Sequence, residues 1–184
     1  AMEEETPKAL SNVTTKITGS VRQLCDSAAD TAKRLGYKPF ILTASLRSVA
    51  KEVGAFLGAM AEYHQQSEKS LAFICGGETV VHLVGNGLGG RNQEIALAAV
   101  PYLSSCKDTC LFSLGSDGTD GPTDAAGGYV DDRTSSRFEE IGLDNRAMLD
   151  NNDAYHALKA VDGLIMTGPT GTNVNDVTVL LIKR

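Results

Sequence analysis

The sequence predicts an α/β fold: three α/β/α layers around a mostly parallel, mixed sheet that carries one hairpin. Short runs rich in β-branched residues alternate with stretches whose apolar residues recur at three- and four-residue steps, the grammar of strands and covering helices. Three apolar runs end in polar loops that combine glycine with Arg, Asp, Asn or Thr, at residues 85–94, 115–124 and 168–176. Ligands of open α/β sheets bind outside the carboxyl ends of the strands, so three such loops at one edge would form a polar cleft. With 42% hydrophobic and 22% charged residues among 184, the chain can bury the core of one domain.

Residues 1–11 read as a cloning remnant and linker, with Ala1 ahead of Met2 and then Glu3, Glu4, Glu5 and Pro7; a single α/β domain follows over 12–184. Residues 13–18 predict a short strand. Val21, Leu24, Cys25, Ala28, Ala32 and Leu35 fall on one helical face, and Gly36 ends the run as a C-terminal cap. Residues 39–43 predict a buried strand, followed through Ser45 as N-cap by a helix with the stripe Val49, Val53, Phe56, Leu57, Met60 and Tyr63. Residues 71–75 predict the next strand. Gly76, Gly77 and Glu78 are too few for a crossover, so residues 79–84 predict the return arm of a hairpin. A helix at 95–103 and a strand at 109–114 follow. Residues 131–143 read as an exposed loop and helix, Asn151, Asn152 and Asp153 as an N-cap cluster before a helix at 154–160, and 163–167 and 177–182 as the last strands.

The chemistry concentrates at GNGLGGRNQE, residues 85–94. The first N–H groups of a helix lack partners and carry the positive end of its dipole, so such a junction suits a phosphate or carboxylate. Gly87, Gly89 and Gly90 would allow close approach, and Arg91 offers a planar fork for two oxygens. Gly85, Gly87 and Gly90 also satisfy G-x-G-x-x-G, with Asp108 at the distance of a ribose-binding carboxylate, the pattern of a nicotinamide oxidoreductase. Against that stand the hairpin context and the polar cluster Arg91 to Glu94 where small packing residues would be expected. Asp117, Asp120 and Asp124 lack calcium-hand spacing and suit a looser magnesium site shared with phosphates, or a set of Asx turns.

Composition excludes some classes. A net charge of −6 and a pI near 5.0 argue against nucleic acid or an acidic membrane surface as partner. No run approaches the roughly 18 apolar residues of a spanning helix. Cys25, Cys75, Cys106 and Cys110 are scattered, which fits a reduced, cytoplasmic protein. Cys106 and Cys110 are not a C-x-x-C pair, and His64, His82 and His156 are isolated, so all read as structural, whereas Glu78 stands beside the predicted cleft.

The motifs GNGLGGRNQEIALAA, GSDGTDGPTDAAGG, NND and TGPTGTNVND, in this order, resemble the C-terminal MOFRL region of the type II glycerate kinases over residues 71–184. The helix-start run Leu46, Arg47, Ser48, Val49, Ala50, Lys51 departs from the family's Leu-Glu-Gly-Glu-Ala-Arg by two acidic positions. The resemblance implies the C-terminal half of a longer two-domain enzyme that phosphorylates the 2-hydroxyl of D-glycerate with ATP and Mg2+ or another divalent cation. It gives Arg91 a role in an interdomain cleft, places a second key cation, a lysine, on the N-terminal domain, and makes this chain inactive alone. It leaves homodimerisation open.

For such a reaction the residues supply catalytic candidates in Arg91, Asp117 and Asp120, and metal candidates in Asp117, Asp120 and Asp124. Substrate or phosphate contacts would come from Glu78, Gly87, Gly89, Gly90, Asn92, Asn152, Thr170 and Asn173. The alternatives are an NAD(P)-dependent hydroxypyruvate reductase, or a non-catalytic ligand-binding or assembly module.

Overall fold

A computed structural model describes residues 11–14 and 16–184. The lead-in at residues 1–10 lies outside them. Helix α1 (Val21–Arg34) is followed by β1 (Lys38–Leu46), α2 (Ala50–His64), β2 (Leu71–Gly77), α3 (Arg91–Leu103), β3 (Thr109–Gly115) and β4 (Gly127–Asp131). Three short helices, α4 (Thr134–Glu140), α5 (Asn145–Asp150) and α6 (Ala154–Lys159), precede β5 (Leu164–Ile165) and β6 (Asp176–Ile182).

The strands form one mixed sheet in the order β1-β2-β6-β3-β4-β5. β1, β2, β3 and β5 point one way and β4 and β6 the other, so β1 with β2 is the parallel pair and the remaining neighbours are antiparallel. This register puts Leu46, Gly77, Asp176 and Gly115 side by side at one edge of the sheet. The loops at 78–90, 116–126 and 166–175 all meet that edge.

The layers are unequal. One face packs α2, α3 and the short helices against the sheet through Leu57, Phe73, Ile95, Leu97, Leu111, Leu158 and Leu180. The other carries α1 alone, whose Cys25 and Ala29 meet Ile74, Val177 and Val179. β2 is therefore buried along its whole length, while β3 alternates buried and half-buried residues, as a strand with one covered face must. α3 is central: every residue from Asn92 to Val100 is buried. Among the described residues no helix is long and apolar enough to cross a membrane.

Several expected elements differ. Residues 13–18 form no strand in their described part. The strand at 39–43 runs on to Leu46, taking in Ser45, and lies at the sheet edge with Phe40, Ile41 and Leu42 exposed, not buried; Val49 is the residue that caps α2. On α2 the buried face is Ala50, Val53, Gly54, Leu57, Gly58 and Ala61, while Phe56 and Tyr63 face outward. The close crossing with α3 explains this, since a Cβ on Gly54 would overlap the Ile95 carbonyl oxygen. Residues 79–84 make one bridge, Val49 with Val80, in place of a hairpin arm. The hairpin of this sheet is β3–β4, closed by the aspartate loop.

Candidate functional site

An open cleft of about 1310 Å³ lies at the loop-bearing edge of the sheet. Its lining includes residues 44–49, Glu78, Gly87, Gly89, Gly90, Arg91, Glu94 and Asn152. Arg91, the first residue of α3, is set over the start of β6. Its Nε and Nη2 donate to the two carboxylate oxygens of Asp176 at 2.5 and 3.1 Å, and Nη1 stands 3.4 Å from Glu78 Oε1. Asp176 is buried. The bidentate grip and both carboxylates raise the Arg91 pKa above its ordinary value, against the desolvation that lowers it. The guanidinium is therefore held on one edge and open to the cleft on another, with 32% of its side chain exposed.

The start of α3 already has its anion, and it is part of the chain. Asp120 Oδ1 accepts the Asn92 N–H at 3.1 Å and Oδ2 accepts the Gln93 N–H at 2.9 Å; the Asn92 side-chain amide adds a third bond. The Gly90 backbone touches this carboxylate so closely that a Cβ there would overlap it. Burial raises the Asp120 pKa, and the three hydrogen bonds oppose the rise. The expectation that a ligand phosphate fills this helix start is corrected accordingly. The same contact leaves no seat for the pyrophosphate of a dinucleotide, and Asp108 precedes β3, at the far end of the strand from the cleft.

The other predicted residues divide by partner. Asn92 is fully buried, with its Oδ1 accepting from Ser113, which in turn bonds Thr178, so it does not face a ligand. Asp117 closes an Asx turn on the Thr119 N–H at 3.0 Å and receives the Asn173 amide at 3.2 Å. Thr170 donates to the Ser116 carbonyl, which joins the Asp117 and Asn173 loops. Asp124 accepts from Tyr155 at 2.8 Å, a bond that raises the tyrosine pKa. Asp117, Asp120 and Asp124 are thus engaged separately. Among the described residues no group of three His, Cys, Asp or Glu side chains could hold a metal ion. The three-aspartate magnesium set does not fit the residues as they stand.

The segment Asn151 to Asp153 is a fastener for the glycine loop and not a plain N-cap. Asn152 Oδ1 accepts the Val84 and Gly85 N–H groups at 2.8 and 3.0 Å, and Nδ2 donates to the His82 carbonyl and to Glu94 Oε2, each at 3.2 Å. Asn151 Oδ1 takes the Asn86 N–H and Asp153 Oδ1 the Leu88 N–H. Burial raises the pKa of Glu94, while its bond to Asn152 and the nearby Lys51 lower it. The sequence reading missed Asp176, Glu94 and Asp153. Their one signal is position: Glu94 and Asp176 stand at the polar end of an apolar run, and Asp153 closes the polar cluster before α6. The free cysteines are structural: burial pushes Cys75 and Cys110 up to about 11.

The chain is thus an open three-layer α/β domain with a mixed sheet, a glycine-loop cleft and an ion-paired arginine in it. Within that fold class, the chain belongs to the MOFRL family, which it matches over residues 71–176. It is 48% identical to the D-glycerate 2-kinase of Thermotoga maritima over 99% of this chain and 45% of that protein. It is 41% identical to the glycerate 2-kinase of Pyrococcus horikoshii over 98% of this chain and 42% of that protein. The crystal structure of the Thermotoga maritima glycerate kinase superposes with a TM-score of 0.91 over 97% of this chain and 44% of its own. The chain thus spans less than half the length of these relatives.

Proposed function

We propose that this chain is the C-terminal half of an ATP-dependent glycerate 2-kinase and forms one wall of its interdomain phosphoryl-transfer site. The near-complete alignment to proteins named glycerate 2-kinase, at less than half their length, supports this. The observation that carries it is Arg91, immobilised by Asp176 yet open to the cleft. Phosphoryl transfer asks little covalent chemistry of a protein; it asks for charge stabilisation on the moving group and alignment of the attacking hydroxyl. Arg91 would supply the charge. Glu78, half-exposed beside it, would orient the 2-hydroxyl, and Gly87, Gly89 and Gly90, which line the cleft, would form the floor. Asp117, Thr170 and Asn173 make a second polar group on adjoining loops, outside the cleft lining, and would contact substrate from there. ATP would be the phosphoryl donor, with no cation assigned to the aspartates of this chain. The complementary lysine would come from the N-terminal domain, so this chain alone is expected to be silent, and we place the enzyme in the cytoplasm.

The test is ATP-dependent phosphorylation of D-glycerate by the full-length enzyme, as wild type and as Arg91→Ala, beside this chain alone. Loss of an arginine acting in the transition state should cost about 3 to 4 kcal/mol, on the order of 100- to 1000-fold in kcat. An active full-length enzyme indifferent to the substitution would remove Arg91 from the reaction. Turnover by this chain alone would refute the half-site reading.

A further inference from the structure

The loop at 79–90 has no strand of its own and is bridged at Val80 alone, to Val49 at the start of α2, yet it carries three cleft-lining glycines and delivers Arg91. Something else must fix it. All the hydrogen-bonding capacity of the Asn152 carboxamide toward protein is engaged there: two backbone N–H groups on its oxygen, a carbonyl and a carboxylate on its nitrogen. Asn152 adopts a left-handed backbone, φ +53, which asparagine tolerates better than most residues. Its partner Glu94 lies three residues beyond Arg91 on α3, so both side chains share a helix face. Glu94 also faces the Lys51 N–H in the first turn of α2. The charged groups around that carboxylate are Lys51 from α2 and Asp120 from the β3–β4 loop.

The geometry points to Asn152 and Glu94 as a coupled pair of positioning residues, which lock the glycine loop and Arg91 into one frame. The inference rests on the kinase reading. It removes Asn152 from the substrate contacts, because a ligand could reach its amide only by breaking the bonds that hold the loop.

Asn152→Asp puts an oxygen where the amide donates, so two carboxylates face each other. Adding Glu94→Gln reverses the polarity of the pair and restores a donor. In the full-length enzyme, Asn152→Asp should lower kcat by about 100-fold through misplacement, with the KM for D-glycerate little changed. The double variant should recover about tenfold or more of that loss, since the pair couples directly. A substrate-contacting Asn152 would not be rescued by a change at Glu94.

A second readout needs no activity. In the 184-residue chain, amide exchange at Val84 and Gly85 should speed by about tenfold or more in Asn152→Asp and slow again in the double variant, with β2 amides unchanged. Should Asn152→Asp not fold, Asn152→Gly deletes the carboxamide without adding charge or backbone strain, and should give the same fall in kcat and the same exchange. Wild-type kcat in either single variant, or no rescue in the double, overturns the pairing. A full-length wild type without kinase activity overturns the kinase reading instead, and the exchange experiment still decides whether the pair holds the loop.

Discussion

Asp120 shows how one side chain can stand in for a ligand. Its carboxylate satisfies the first N–H groups of α3 and the Asn92 amide, all out of water. Asp120→Ala removes the cap and leaves buried donors unpaired, which should destabilise the chain by about 2 to 3 kcal/mol in urea unfolding. A smaller loss, under about 0.5 kcal/mol, would mean that water replaces the carboxylate. Some of this was legible in the sequence. The glycine-to-helix junction pointed to an anion from a ligand, where the chain supplies its own, and Arg91 and Glu78 line the cleft. The identity of the anion was hidden, because Asp120 lies nearly thirty residues along the chain and spacing cannot say which carboxylate returns. The same holds for Asp176, 85 residues from the arginine it grips.

At the level of elements, periodicity worked where one face alone is buried. α1 reads well for that reason, with Ser20 as its cap accepting the Gln23 N–H, although Leu35 of the expected stripe is exposed and Ala29, outside it, is buried. It failed on α2, where large residues point outward and small ones make the contact with α3. Close helix crossings select glycine and alanine, which hydrophobic patterns overlook. Gly54→Ala should therefore destabilise the chain by about 1 to 3 kcal/mol despite alanine's higher helix propensity, because the added methyl meets the Ile95 carbonyl. A higher melting temperature for this variant would show that the two helices can separate without penalty. Strand β4 escaped notice because it opens with Gly127 and Gly128, and residues 79–84 were mistaken for a strand because they are β-branched. That segment is a loop whose Val80, Leu83 and Val84 are exposed, the first two lining the cleft.

For the molecule as a whole, the layered α/β architecture and the convergence of three polar loops at one edge followed from the order of runs and loops. The strand order did not. β6 crosses back to lie between β2 and β3, and no local pattern encodes that choice. The strand is buried along nearly all its length and bonded on both sides. Removing residues 176–184 should abolish cooperative unfolding altogether, as followed by circular dichroism against urea, where loss of an edge strand such as β5 would leave a transition. The arrangement also sets a schedule for the growing polypeptide on the ribosome. β1 with β2, and β3 with β4, can pair as they emerge, but the two half-sheets stay unjoined, with their inner edges open, until β6 is released. Chaperone demand should therefore persist until β6 has left the ribosome.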